Sequence, residues 1–289
     1  MKVLLVGSAG QLGTALVRRI PVGVELMPVD QSTLDIGDAA AVRAIVTALR
    51  PAVIINAAAH TQVDVAESEP EVAFRVNADG PGHLARAAAV VGGRMLHVST
   101  DFVFAGDRPQ PYDVDAATEP VNVYGRSKLA GEATVLAELG PAATVVRTSW
   151  LYAAAGRNFV LTMLKLMRSR DSLGVVVDQV GCPTWAGSLA QAVWDLARRA
   201  DLHGIHHWSD EGVASWYDFA VAIQEEALER RLLDRAIPIH AIAAREYPTP
   251  ARRPAYSVLD KRRTAEALGY PPPHWRASLR NMLDELAAS

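Results

Sequence analysis

One cysteine, Cys182, stands in 289 residues. It excludes an internal disulfide and fits a reducing, cytoplasmic setting. Cys182 reads as a small buried hydrophobe. Long apolar runs are lacking: none reaches the ~18 residues of a membrane span. The opening Met-Lys-Val-Leu-Leu-Val-Gly has a short apolar run that stops at Gly7. A signal peptide needs about 7–15 apolar residues and a small-residue cleavage site. Charge of one sign is lacking as well. The 29 Lys and Arg against 32 Asp and Glu leave a net charge of −3, so no basic field points to nucleic acid. Internal repeats and low-complexity segments are absent. His203, His206 and His207 offer no metal site, because neighbours on a strand point to opposite faces and cannot share an ion.

Half of the residues are apolar, enough for a large core in one domain or two interleaved ones. Val3–Val6, Val24–Val29, Val53–Ile55, Arg94–Val98 and Ala143–Arg147 read as short apolar strands. Helical patterns lie between them: one through Ile20, one capped by Asp38, one over 70–91 and one over 121–139. This alternation predicts an α/β protein with a Rossmann-type doubly wound parallel sheet. After Trp150 the rhythm loosens. Helices over 158–168, 188–199 and 216–229, with strands at 173–177 and 205–208, predict a smaller α/β lobe built from several excursions. The expected dinucleotide-binding domain is 1–147 plus about 184–208. The expected substrate-binding lobe is about 148–183 and 209–289.

Gly7, Gly10 and Gly13 lie between a strand and a helix. Glycine permits a tight turn and close approach of a pyrophosphate, which the helix N-terminus then attracts. Asp30 ends the second strand 17 residues beyond Gly13, where a carboxylate accepts bonds from ribose hydroxyls. It repels a 2′-phosphate, and no Arg follows in Gln31-Ser32-Thr33. NADH is favoured and NADPH remains open. Asp35 reads either as an adenine contact or as a loop aspartate. Tyr124 and Lys128 stand four residues apart, on one face of a helix. A lysine beside a tyrosine favours the phenolate and lowers a pKa that is about 10 in water. With Ser99-Thr100 24 residues earlier, the pair makes a proton donor for a carbonyl under reduction. Thr100 bonds the same oxygen, Tyr124 donates the proton, and Lys128 tunes the phenol and bonds the nicotinamide ribose.

These motifs, with Asn56-Ala-Ala-Ala-His-Thr61, Ser99-Thr-Asp-Phe-Val-Phe104, Arg147-Thr-Ser-Trp-Leu-Tyr152 and Tyr247-Pro-Thr-Pro-Ala-Arg-Arg-Pro254, resemble the extended short-chain dehydrogenase/reductases. Within them the whole chain is similar to the dTDP-4-dehydrorhamnose reductase family. The resemblance implies a Rossmann-type domain with a small lobe for a nucleotide-sugar, and reduction of a dTDP-linked 4-keto sugar by NADH or NADPH. It implies that Thr100 and Asp101 contact the sugar and that Trp150 lines its pocket, against a bland reading of Trp150 as core. Gly7, Gly10, Gln11, Leu12, Ile36, Ala57 and Ala58 belong to the implied cofactor site. Ala59, His60, Thr61 and Val98 line its nicotinamide side. His60 also reads as a loop histidine bonded to backbone. Arg253 reads as a pyrophosphate ligand or as a surface residue beside Arg252.

Three departures matter. Dehydratases of the superfamily resemble Thr-Asp-Glu where this chain has Thr100-Asp101-Phe102, which disfavours water elimination. Phe102 replaces a frequent tyrosine. Some relatives bridge a dimer through a metal held by glutamates at positions matching Ala15 and Gly187, so a monomer or a metal-independent homodimer is expected. The alternatives are reduction of another 4-keto-6-deoxy nucleotide-sugar, a non-catalytic regulatory subunit and, more weakly, an epimerase.

Overall fold

Six strands run parallel through the centre of the molecule: β1 (Lys2–Val6), β2 (Glu25–Val29), β3 (Val53–Asn56), β4 (Arg94–Thr100), β5 (Ala143–Thr148) and β6 (Gly204–His207). The computed structural model describes residues 1–288. The sheet order is β6-β5-β4-β3-β1-β2. Val6 at the end of β1 pairs with Val29 on one side and Asn56 on the other. The chain therefore steps outward from β1 to β2 and then returns across β1 to β3. Ligands of such sheets bind where the order reverses, at the carboxyl ends of the strands.

Residue alternation along the strands feeds two cores, one on each face. Val3 and Leu5 join Ile55, α1 (Gln11–Arg18) and the later helix Ala186–Arg198. Leu4 and Val6 join Ile54, α2 (Ala39–Leu49) and the helix Gly80–Val91. Asp38 caps α2 as expected, accepting from the Ala40 and Ala41 amides at 2.9 and 3.0 Å.

The pattern over 70–91 is not one helix. After α3 (Val63–Ser68) come α4 (Pro70–Phe74), a wide π turn (Arg75–Asp79) and then α5 (Gly80–Val91). Within the wide turn Asn77 clamps the main chain of His60, accepting from its N–H at 2.8 Å and donating to its carbonyl at 3.0 Å. That long-range pairing is invisible to local periodicity. Such turns recur at functional sites. The next helix, α6 (Val123–Leu139), starts two residues later than the sequence pattern indicates, because Asn122 caps it by accepting from Gly125 N at 2.7 Å.

A third core lies apart from the sheet. It gathers α7 (Phe159–Ser169), α9 (Trp216–Glu229) and α11 (Trp275–Ala287), with α8 (Ala186–Arg198) and α10 (Arg262–Leu268) on the sheet side. Phe219, Ile223, Leu279 and Met282 are fully buried there. Among the described residues no helix is long and apolar enough to cross a membrane. Both neighbouring histidines of β6 have local partners: His206 meets Thr264, and His207 meets the Tyr112 carbonyl. Cys182 is a free, buried thiol.

Candidate active site

The glycine loop closes the end of β1 against the end of β3. Gly7 has φ +84°, and a Cβ there would come within 2.6 Å of Ala58 N. At Gly13 a Cβ would collide with the Gly7 carbonyl. Both positions therefore require glycine. Gly10 supplies no side-chain cap to α1, so the first-turn N–H groups are available to an anion.

A cleft of about 410 Å³ opens beside this loop. Gly7, Gly10, Asp30, Asp35, Ile36, Ala57, Ala58, Ala59, His60 and Thr61 line it, ten residues that sequence reasoning had placed at the cofactor. Leu12 sits in the sheet core instead, and Gln11 binds Asn158 and the Arg157 carbonyl outside this cleft. Both stand in the first turn of α1, and neither lines the cleft. Val98 lies on β4, outside the cleft lining, and its carbonyl accepts from Lys128 at 2.7 Å. The cleft fits a dinucleotide: it has the glycine cradle, an acidic strand end at Asp30, and a buried His60 Nδ1 that lacks a partner among the described residues.

Asp30 accepts from Ser32 and Thr33, four contacts to one oxygen, Oδ1. Those bonds hold its carboxyl below the usual range. Asp35 binds the Gly37 amide at 2.8 Å and pairs with Arg75 at 2.7 Å. The Arg75 bond is the chief reason its carboxyl also lies low. Asp35 thus stands on the cleft wall with its carboxylate held by the Gly37 amide and Arg75.

Thr100 ends β4, and Tyr124 lies in the first turn of α6. The Thr100 hydroxyl lies near the Tyr124 phenol and partly offsets the upward push on its pKa. Thr100 also donates to Asp101 Oδ1 at 3.0 Å. Phe102 meets the Tyr124 ring edge-on at 5.7 Å. Lys128 follows one turn along α6, 1% exposed. Its Nζ reaches the Val98 carbonyl at 2.7 Å and His97 Nε2 at 3.3 Å.

The electrostatics differ from the sequence expectation. Tyr124 is pushed up to about 12, not down. Desolvation is the main cause and the Asp101 carboxylate adds to it, while Thr100 opposes both. Desolvation brings Lys128 down to about 8. The reason is orientation: the amine faces β4, so it gives the phenol little help in this state.

Asp101 is buried and pushed up to about 6 by desolvation. Trp150 has a left-handed backbone, φ +45°, and lies on Trp216 at the edge of the third core. Arg253 grips Asp64 at 2.7 and 3.1 Å and also bonds Thr249 and the Ala251 carbonyl. Pyrophosphate binding by Arg253 must therefore share or displace an ion pair. Its loop is tied to the start of α6, because Asn122 donates to the Arg252 carbonyl at 2.8 Å.

The RmlD substrate binding domain family matches residues 1–288. The dTDP-4-dehydrorhamnose reductase of Aggregatibacter actinomycetemcomitans is 41% identical over 97% of this chain and 98% of its own. The chain belongs to the dTDP-4-dehydrorhamnose reductase family. Two solved structures of dTDP-4-dehydrorhamnose reductases agree. The Clostridium acetobutylicum protein is 38% identical, with a TM-score of 0.92 over 99% of both chains. The Bacillus anthracis protein, solved in complex with NADP, is 36% identical, with a TM-score of 0.92 over 98% of this chain and 99% of its own.

The dTDP-4-dehydrorhamnose reductases are NAD(P)H-dependent oxidoreductases, and sequence reasoning missed two contributors to this member's site. Arg75 stands in the π turn, lines the cleft and pairs with Asp35 forty positions away. It puts a cation on the cleft wall beside Asp35, where Gln31-Ser32-Thr33 offers none. Asn77 holds His60 in place. Its only sequence signal is a polar residue inside an otherwise amphipathic run.

Proposed function

We propose that this protein reduces the C4 keto group of dTDP-4-dehydro-L-rhamnose to give dTDP-L-rhamnose, with Tyr124 as proton donor. The observation that carries the reading is the placement of Thr100 near the Tyr124 phenol, with Lys128 tied through His97 and Asn56 to Ala58 in the cleft wall. The bound nicotinamide dinucleotide supplies a hydride to the carbonyl carbon. Every other requirement falls on the chain. The carbonyl oxygen gains negative charge and needs donors aimed at it. Tyr124 is one donor, and Thr100 becomes the other when its hydroxyl turns from Asp101 to the substrate. A phenol near 12 is fully protonated at neutral pH, the form an acid in reduction must have. Lys128, in its ammonium form, stabilises the phenolate left behind.

Both nicotinamide cofactors fit the cleft. Arg75 supports NADPH by offering a cation for a 2′-phosphate, and Asp30 supports the ribose contact. We assign 1–147 plus about 184–208 to the dinucleotide domain, and about 148–183 with 209–289 to the sugar lobe. Trp150 and Asp101 line the sugar pocket in this reading. Arg253 contacts the pyrophosphate by exchanging part of its bond to Asp64. The absence of acidic side chains at Ala15 and Gly187 supports a monomer or a metal-independent homodimer.

The test is oxidation of NADH and NADPH with dTDP-4-dehydrorhamnose and a panel of other 4-keto sugars. We expect stoichiometric oxidation with dTDP-4-dehydrorhamnose and at least a thousandfold lower turnover for Tyr124→Phe, on the order of an acid–base contribution. No oxidation with any sugar would falsify the enzyme reading, and full activity of Tyr124→Phe would remove its proton donor.

A further inference from the structure

We infer that His97 is a positioning residue that controls whether Lys128 carries its proton. The inference rests on the reductase reading for its consequence, but its basis is a chain of hydrogen bonds. The Ala58 N–H donates to Asn56 Oδ1 at 3.1 Å. That bond orients the amide, so Asn56 Nδ2 faces His97 Nδ1, also at 3.1 Å. An amide nitrogen only donates, so Nδ1 accepts. A neutral imidazole has one N–H, which must then sit on Nε2. Nε2 is the atom that faces Lys128 Nζ at 3.3 Å.

An N–H aimed at an ammonium sets donor against donor. An N–H aimed at a neutral amine is a hydrogen bond, because the amine has a lone pair. Nζ still keeps hydrogens for the Val98 carbonyl at 2.7 Å. The opposite tautomer moves the conflict to Asn56, and a doubly protonated ring creates it at both nitrogens. His97 is fully buried, and desolvation with the nearby Lys128 charge holds it well below its ordinary value. Neutral Lys128 is the state that sets no donor against a donor along this relay, and a buried polar atom without a partner is costly.

The other charged groups around Lys128 do not reverse this. Glu132, one turn further along α6, favours the ammonium. It is held by Arg147 of β5 through bonds of 2.7, 3.0 and 3.1 Å, and both side chains are buried. Tyr124, one turn back, is a protonated phenol, raised by burial and further by the Asp101 carboxyl. Burial of the amine acts in the same direction as His97.

The consequence concerns the proton that reduction consumes. Lys128 helps the phenolate form only when it is charged. His97 holds it close to the balance between amine and ammonium, so it can take up a proton near neutral pH and release one. The chain starts at Ala58 in the cofactor cleft wall, so a shift of that main chain on filling the cleft reaches Nζ through two side chains.

Asn56→Asp is the decisive variant. A carboxylate accepts from both the Ala58 N–H and His97 Nδ1–H, which reverses the tautomer and turns Nε2 into an acceptor for an ammonium. Imidazole 15N shifts are expected to be pyridine-like at Nδ1 and pyrrole-like at Nε2 in the native chain, and reversed in the variant. The Lys128 titration, followed by its 13Cε shift, is expected to move up by about one pH unit or more, a tenfold change in proton affinity. His97→Gln, whose amide can turn its carbonyl to Nζ, is expected to move it the same way and serves if Asn56→Asp does not fold. A pyridine-like Nε2 in the native protein overturns the inference even if neither variant folds. So does a Lys128 titration unmoved in a folded variant. These readouts need no sugar substrate, so missing turnover sinks the reductase reading without touching the tautomer.

Discussion

Trp150 lies flat on Trp216, with ring centroids 3.4 Å apart and planes within 2°. The stack holds Trp150 in a left-handed backbone conformation that non-glycine residues seldom adopt. Gly181 sits under the indole, where a Cβ would come within 2.7 Å of it. Sequence left Trp150 open between pocket wall and core. The structure puts it at the seam, with one face committed to Trp216.

We therefore expect Trp216→Ala to act on sugar binding through Trp150. An aromatic pair contributes about 0.5–1.5 kcal/mol beyond area burial, so KM for the nucleotide-sugar should rise up to about tenfold. The Kd of NADPH should stay unchanged. Titration calorimetry with each ligand separates the two. Equal weakening of both ligands would mean that the stack supports the whole fold.

Arg75 should discriminate between the two cofactors. A charge-assisted bond to a 2′-phosphate contributes roughly 1.5–3 kcal/mol. Arg75→Ala should weaken NADPH by about tenfold or more and leave NADH within about twofold. Fluorescence titration of the two cofactors reads this directly. An equal loss for both would mean that Arg75 only orders the Asp35 loop.

Asp101 holds a carboxyl at about 6 because burial opposes its charge. A carboxyl raised above its unfolded value favours folding below that value, and the benefit fades as pH rises through 6. The Asn variant has no such slope. Asp101→Asn should match the native chain near pH 4 and exceed its stability at pH 7 by about 3 kcal/mol, an order-of-magnitude figure. It should also lose sugar turnover. Urea unfolding at the two pH values checks the first part. A stability difference that shrinks with rising pH would show that the carboxylate is stabilised in place.

Glu132 and Arg147 form a pair with side chains only 2% and 3% exposed. Glu132→Gln leaves a guanidinium buried without its counter-charge, a loss of about 3–5 kcal/mol. Replacing both by apolar residues of similar size should cost much less. Denaturant midpoints of the single and double variants test this. A mild single variant would show that His207, at 3.4 Å from Arg147, and the Phe104 ring beneath it are sufficient surroundings.

Several features were legible before any coordinates. The glycine spacing placed a strand, a tight turn and a helix start, and the structure has all three. Asp38 as a cap, and the alternation that feeds both faces of the sheet, were equally local. The misreadings have one common form. The π turn at Arg75–Asp79 reflects Asn77 reaching back to His60. Tyr124 is raised because burial desolvates the phenol, while Lys128 faces the Val98 carbonyl of β4 and does not offset it.

The sequence by itself determined the parallel sheet, the glycine loop and the single helix face shared by Tyr124 and Lys128. These follow from backbone geometry and side-chain periodicity, which act over a few residues. Only the tertiary structure decided who each charge meets. Arg75 meets Asp35 across 40 positions, His97 meets Lys128 across 31, and Arg253 meets Asp64 across 189. Those encounters, and the loss of water around them, depend on how distant segments pack, and desolvation together with hydrogen-bond partners sets the protonation of each group.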